Sequence, residues 1–163
     1  MPANSATDGI AQLIETLERL VDEVNVLQSK LIVLIGSPQS GKSALLDALA
    51  TKRHGAVLNV GAELGKQLAG LPQRQRPLQT ASFLRELAEQ HASNNLLLLD
   101  NIEILFEHSL QLDPLELLKR YAHAIRVVAV WPGELLDGRL SYAEIGHPEH
   151  RDYGLAGLVH FRI

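Results

Sequence analysis

The feature that most constrains this chain is an apolar run that leads directly into a glycine-framed loop. Residues 31–35 read Leu-Ile-Val-Leu-Ile, and residues 36–43 read Gly-Ser-Pro-Gln-Ser-Gly-Lys-Ser. An unbroken apolar run is typical of a strand that is covered on both faces in a parallel sheet. Small and apolar residues follow the loop at the spacing of a helix packed on a sheet: Ala44, Leu45, Leu46, Ala48 and Leu49. The sequence therefore predicts a strand, a loop and a helix in immediate succession.

The pattern Gly-x-x-x-x-Gly-Lys-Ser is typical of loops that bind polyphosphates. Gly36 and Gly41 permit a tight turn whose backbone N–H groups point at phosphate oxygens, in front of the positive end of the following helix. Lys42 would reach the outer phosphates, and the Ser43 hydroxyl is placed for Mg²⁺. The predicted ATP-binding residues are Gly36, Ser37, Pro38, Gln39, Ser40, Gly41, Lys42, Ser43 and Ala44. A chance glycine-rich turn is the alternative, and the flanking strand and helix favour nucleotide binding over it.

A second chemical motif is the apolar strand that ends in an aspartate at residues 96–100, after the turn residues Asn94 and Asn95. Such a strand places a carboxylate at the carboxyl end of a parallel sheet, where it can reach the Mg²⁺ of a nucleotide held by the loop. Alone this pattern is common by chance, but downstream of a phosphate loop it is more specific. Asp100 and Ser43 are therefore the predicted Mg²⁺ ligands.

Composition and charge exclude several classes of function. The chain has 163 residues, of which 46% are apolar and 21% charged, as in an ordinary globular domain, and we predict a single domain over residues 1–163. A net charge of −4 and an isoelectric point near 5.9 disfavour direct DNA binding through phosphate contacts. The absence of cysteine excludes disulfides, zinc–thiolate sites and thiol nucleophiles. With no signal peptide and no spanning segment, we expect a cytoplasmic protein without membrane contact.

Residues 1–29 are predicted to form an amphipathic helix ahead of the nucleotide-binding core at 30–163. Thr7 or Asp8 is its expected N-terminal cap. The apolar stripe consists of Ile10, Leu13, Ile14, Leu17, Leu20, Val21, Val24 and Leu27. Because the stripe is too short to establish a coiled coil, we favour a helix that packs on its own domain over one that binds a partner.

The remaining elements alternate between strand and helix patterns. Strands are predicted at 56–60, 126–131 and 158–163. Helices are predicted from after Val60 to about Leu68, from a cap at Thr80 to about His91, and from a cap at Asp113 to about His123. Asp137 and Gly138 predict a two-residue hairpin turn. The loop at 70–77 carries prolines and arginines, and a solvated connection is favoured over contact with nucleic acid or a partner. His147 and His150 make a poor metal site without further ligands.

These elements indicate an α/β protein with a parallel sheet of about five strands, covered by helices on both faces. The order of phosphate loop, second strand, aspartate strand and two further strands resembles the additional-strand group of P-loop NTPases, near the AAA-like ATPases. That resemblance covers residues 30–163 and implies an AAA-like core. Residues 99–106, 113–115, 131–134 and 141–149 together are similar to the BrxF family of BREX phage-defence systems. The similarity implies a bacterial antiviral component that works beside a DNA methyltransferase and a large ATPase.

The chain departs from the additional-strand pattern in three ways. Asn101 stands where a glutamate normally follows the aspartate, and an amide can orient water but cannot accept its proton. Glu103 would lie on the same side as Asn101 if the chain stayed extended. Trp131 stands where a polar residue usually senses the γ-phosphate, and no C-terminal lid is expected after the last strand. Lys42, Asn101 and Glu103 are the candidate catalytic residues.

We therefore favour a nucleotide-gated assembly or regulatory module, a weak ATPase with slow hydrolysis, over three alternatives. These are an efficient ATPase that remodels a DNA-bound defence complex, a small nucleotide kinase, and a structural protein with a vestigial loop. The expected absence of a lid arginine favours a homo-oligomer in which a neighbouring subunit completes the γ-phosphate site. Arg120 and Arg151 are the candidates for that arginine.

Overall fold

The computed structural model describes residues 5–143, 148 and 150–163. Within these residues the α-helices are α1 (Ser5–Glu23), α2 (Lys42–Lys52), α3 (Val60–Ala69), α4 (Arg76–His91) and α5 (Pro114–Ala122). The strands are β1 (Leu31–Ile35), β2 (Val57–Asn59), β3 (Leu96–Asp100), β4 (Arg126–Val130), β5 (Glu134–Leu136), β6 (Arg139–Tyr142), β7 (Arg151–Tyr153) and β8 (Val159–Arg162). Short 3₁₀ segments lie at Val24–Val26, Gln73–Gln75, Ile102–Phe106 and His108–Leu110. No helix in the described part of the chain is long and apolar enough to span a bilayer.

The main sheet has five parallel strands in the order β2-β3-β4-β1-β8. Strand β4 therefore lies between β1, which leads into the predicted phosphate loop at 36–43, and β3, which ends in Asp100. In a parallel sheet all carboxyl ends meet at one edge, so the phosphate loop, Asp100 and the residues after β4 lie on the same side of the molecule. The predicted α/β class and the five-stranded parallel sheet are confirmed.

Helices cover both faces of the main sheet. All five residues of β1 are buried, and they alternate between two hydrophobic layers. Leu31, Val33 and Ile35 face the layer formed by α3, α4 and α5, whereas Ile32 and Leu34 face α1 and α2. This double burial explains why the β1 sequence is apolar throughout rather than alternating.

Helix α1 packs on α2, and the centre of its apolar stripe is the part that is buried. Leu17 and Val21 are fully buried there, while Ile10 and Leu27 at the two ends are 53% and 43% exposed. The interpretation that this helix packs on its own domain is confirmed. The cap prediction is wrong, because α1 begins at Ser5 and already contains positions 7 and 8.

Two predicted boundaries are wrong for local reasons. Helix α4 begins at Arg76 rather than after Thr80, because Pro77 suits the first turn of a helix, where its missing N–H is not needed. Thr80 is instead buried one turn inside, and its hydroxyl donates to the Arg76 carbonyl over 2.6 Å. Strand β2 ends at Asn59, since the Asn59 side chain accepts the Ala62 N–H over 3.0 Å and thereby caps α3.

Several turn predictions are confirmed. Asn94 and Asn95 adopt left-handed conformations before β3, and Asp137 and Gly138 do so between β5 and β6. The Asp113 carboxylate accepts the backbone N–H three residues on and caps α5.

Strands β5, β6 and β7 form a second, antiparallel sheet. Strand β7 is not among the predicted strands. His147, one of the two histidines that make a poor metal site in the sequence, lies outside the described residues.

Candidate functional site

The loop between β1 and α2 is a tight turn that requires glycine at Gly36 and at Gly41 for different reasons. Gly41 adopts a φ of +90° immediately before α2, a conformation that side chains disfavour. At Gly36 a side chain would collide with the Ser40 hydroxyl, which donates to the Ser37 carbonyl over 2.7 Å. The Ser40 backbone N–H donates to the same carbonyl over 3.0 Å. The intervening Ser37, Pro38 and Gln39 are exposed.

Lys42 lies in the first turn of α2 with only 9% of its surface exposed. Its ammonium donates to the Gly36 carbonyl over 2.8 Å and to the Trp131 carbonyl over 3.1 Å. Burial lowers the pKa of Lys42, and the charges of Asp100 and Glu103 oppose that shift. The ammonium therefore lies at the point where the phosphate loop meets the ends of β4 and β3.

Asp100 and Asn101 form a sharp corner at the end of β3. Asn101 is left-handed (φ 53°, ψ 53°), and its backbone N–H donates to the Asp100 carboxylate over 2.8 Å. The Asn101 carbonyl accepts the Gly61 N–H over 2.9 Å, which ties this corner to the start of α3. The Asn101 side chain is exposed, so its amide is available to orient a water molecule.

Glu103 reaches the site by a different route from the extended one considered from the sequence. The left-handed corner at Asn101 ends the strand, and Glu103 stands in the first turn of the 3₁₀ segment Ile102–Phe106. The side chain is solvent-accessible, yet desolvation by its surroundings raises the pKa of the carboxyl, and the charge of Asp100 raises it further. A backbone hydrogen bond and the charge of Lys42 oppose the rise. Lys42, Asp100 and Glu103 therefore form one electrostatic cluster.

The residues present suit a magnesium ion that is bound together with phosphates. In the described part of the chain no three side chains of the metal-binding types converge, so no all-protein metal cage is found there. Mg²⁺ is usually bound by one or two protein oxygens, with phosphates and water completing the octahedron. Asp100 at the end of β3 and the exposed hydroxyl of Ser43 in the first turn of α2 are suitable oxygens for this arrangement.

Trp131 does not present its side chain to the phosphate loop. Alternation along β4 directs Val127, Ala129 and Trp131 toward the α3–α5 layer, and the indole is fully buried. Its N–H donates to the Ser141 carbonyl over 2.9 Å, so the ring packs beneath the second sheet. Position 131 therefore offers no polar side chain to the loop. The backbone carbonyl of Trp131 contacts Lys42 instead.

The two arginines proposed as partners for the terminal phosphate occupy different environments. Arg120 is exposed near the end of α5, where the neighbouring Ala122 carbonyl accepts the Lys30 N–H at the amino end of β1. That position is at the opposite edge of the sheet from the phosphate loop. Arg151 donates to the Leu112 and Phe106 carbonyls over 3.1 and 3.3 Å, and it therefore serves an internal contact.

Arg162, which sequence reasoning did not select, lies beside the loop. It is the last residue of β8 and pairs with Ile35, the residue that precedes Gly36. Its position depends on the parallel pairing of the last strand with the first. In the sequence, the only sign of this role is that Arg162 is a basic residue near the end of the last predicted strand. Which strand lies next to that one cannot be read from a single sequence.

A scan against protein-family models and a search of curated proteins gave no match. Among solved structures, the chain is similar to the one titled "Structure of C. elegans PCH-2", with 16% sequence identity and a TM-score of 0.39. The match covers 98% of this chain and 42% of that one. The chain therefore spans less than half of the length of that protein.

Proposed function

We propose that this protein binds Mg-ATP in the loop 36–43 and acts as a nucleotide-gated assembly or regulatory module with slow ATP hydrolysis. The single observation that carries the proposal is the placement of the Lys42 ammonium. It is buried at the mouth of the phosphate loop, against the Gly36 carbonyl, and within the electrostatic reach of Asp100 and Glu103. This juxtaposition of a cation, two carboxylates and a helix N-terminus is suited to a metal-bound polyphosphate.

Each residue has a role in this proposal. The backbone N–H groups of the loop and the N-terminus of α2 bind the phosphate oxygens, while Lys42 leaves its carbonyl partners to contact the outer phosphates. Ser43 and Asp100 hold Mg²⁺, which neutralises charge on the phosphates when it is bound. Asn101 orients a water molecule but cannot accept its proton. Glu103 is the nearby carboxylate that can accept it.

The position of Glu103 supports the proposal of slow hydrolysis. The carboxylate stands on a short 3₁₀ turn rather than directly after Asp100 on the strand, so its distance from the attacking water depends on that turn. We expect turnover below about 1 s⁻¹, the low end of typical enzyme rates.

Thermal unfolding with and without Mg-ATP tests the binding step. We expect Mg-ATP to raise the melting temperature, because a ligand that binds only the folded state stabilises it by mass action. Lys42→Ala should abolish the shift, and Lys52→Ala at the far end of the same helix is the matched control. An equal shift in Lys42→Ala would place the nucleotide elsewhere. A shift that does not depend on Mg²⁺ would remove the role assigned to Ser43 and Asp100.

Turnover by the isolated protein separates the slow module from the efficient ATPase. Asn101→Glu should raise the rate by placing a carboxylate next to Asp100, and Glu103→Gln should lower it. Fast hydrolysis by the wild-type protein would favour the remodelling ATPase. Phosphate transfer from ATP to an added nucleotide, rather than to water, would favour the kinase.

We further propose that the module works within a phage-defence system, on the strength of the sequence similarity to the BrxF family described above. Co-purification with a DNA methyltransferase and a large ATPase of such a system, with and without ATP, tests this proposal. Loss of the association in Lys42→Ala would link it to the nucleotide. Association that is indifferent to both ATP and Lys42→Ala would contradict gating.

A further inference from the structure

A cavity of about 350 Å³ lies directly beside the start of the phosphate loop. Its walls are Gly36 and Ser37 of the loop, strand β5 of the second sheet, and Arg162 at the end of β8. The volume is at the lower end of the range of small-ligand sites. The cavity therefore joins the phosphate loop to an arginine that comes from the same chain.

The fold positions Arg162 next to Gly36. Its Cα pairs with that of Ile35 in the parallel ladder, and neighbouring strands lie about 4.8 Å apart. Phe161, the preceding residue, packs in the layer of α1 and α2, so the alternation of a strand directs Arg162 to the opposite face. That face carries strand β5 and the cavity.

The Arg162 guanidinium is exposed and only weakly held. It donates to the Leu135 carbonyl over 3.5 Å, the long limit of a hydrogen bond. Glu134 lines the same cavity, but none of the ion pairs found among residues 5–143, 148 and 150–163 includes Arg162. A guanidinium offers five donors in a planar fork that matches phosphate oxygens. Arg162 therefore has donors to spare for an anion in the cavity.

Lys42 and Arg162 approach the same glycine from two sides. The Lys42 ammonium lies 2.8 Å from the Gly36 carbonyl on the side of β4, and Arg162 lies on the side of β8. We propose that Arg162 is a second cationic contact for the bound polyphosphate, supplied in cis. The inference rests on the proposed function and deepens it, because it names the residue that completes the anion site without a neighbouring subunit.

Titration of Mg-ATP and of inorganic tripolyphosphate with Mg²⁺ into Arg162→Gln tests this inference. We expect both affinities to fall about tenfold, the size of one lost charge-assisted hydrogen bond. Arg162→Lys should recover part of the loss because it keeps the charge. Arg19→Gln, which removes an exposed arginine of helix α1 that has no role in the proposed site, should bind as the wild type does. Glu134→Gln should shift affinity in the opposite direction, since it removes a negative charge from the cavity.

Two results would overturn the inference while leaving the proposed function intact. One is wild-type affinity for Mg-ATP in Arg162→Gln. The other is a loss for Mg-ATP without any loss for tripolyphosphate, which would assign Arg162 to the nucleoside instead. If the wild-type protein binds neither ligand, the proposed function fails together with this inference. Melting temperatures of the variants in buffer alone verify that each is folded.

Discussion

At the scale of single residues, the corner at Asn101 controls which side chains meet the phosphate loop. Its left-handed conformation is one that asparagine tolerates better than most residues, and it turns the chain out of β3 after Asp100. The turn brings Glu103 into the electrostatic field of Lys42 and Asp100. Asn101, which cannot act as a base, thereby positions Glu103, which can.

We expect Glu103→Gln to raise the melting temperature at neutral pH and to leave it unchanged in acid. Burial and Asp100 raise the pKa of Glu103 above its ordinary value of 4.5, so folding disfavours the ionised carboxylate. The resulting loss of stability is fully present when the pH is above the raised pKa of Glu103. It disappears as the pH falls below 4.5, because the carboxyl is then protonated in both the folded and the unfolded state.

Thermal unfolding between about pH 4 and 8 measures this difference. Glu107→Gln, which removes an exposed glutamate that follows the same 3₁₀ segment, is the matched control. A constant difference between Glu103→Gln and the wild type at all pH values would mean that packing, rather than ionisation, is responsible.

At the scale of elements, an aromatic cluster joins the second sheet to the site. The cluster consists of Phe106, Trp131, Tyr142 and Tyr153. Phe106 closes the 3₁₀ segment that carries Glu103, and its ring meets Trp131 edge-on at 5.4 Å and stacks on Tyr142 at 4.1 Å. Because the Trp131 carbonyl holds Lys42, the cluster connects the lysine and Glu103 through packed side chains.

Gly133 lies in the connection between β4 and the second sheet, and Gly133→Ala should destabilise the protein by about 1–3 kcal/mol. A methyl group there would overlap the Ser141 carbonyl, the same atom that accepts the Trp131 indole N–H. Denaturant unfolding measures the change. Gly55→Ala is the control, because a methyl group at Gly55 meets nothing within 4 Å. Equal stability of the two variants would show that the second sheet moves to make room.

At the scale of the whole molecule, the sequence predicted elements that are bounded by strong local signals. The Asp113 cap, the Asn94-Asn95 turn and the Asp137-Gly138 hairpin act through neighbouring residues, so one sequence is enough to find them. Strand β7 is short and polar, and it is a strand only because it pairs with β6. Arg162 likewise approaches the loop only through the pairing of β8 with β1. Such long-range pairings cannot be predicted from the local composition of the strands.

The assembly proposal predicts that the mass of the protein in solution depends on the nucleotide. Sedimentation over a concentration series, with Mg-ATP, with Mg-ADP and without nucleotide, should show a larger species with Mg-ATP. Arg120 is exposed and available to a neighbouring subunit, so Arg120→Ala should weaken that species, with Arg139→Ala as an exposed control. A monomer in all three conditions would contradict self-assembly and leave a different protein as the partner.

The two carbonyls that hold the Lys42 ammonium also bear on how much nucleotide the protein needs. The ammonium has three N–H donors, and the two that bind the Gly36 and Trp131 carbonyls become available to a polyphosphate only in the fraction of molecules in which those contacts have opened. For a binding mode that uses these donors, the apparent Kd is the intrinsic Kd divided by that fraction. Each tenfold decrease in the fraction therefore raises the apparent Kd tenfold. Under the proposed function, the opening of these two contacts would therefore help to set the nucleotide concentration at which the loop fills.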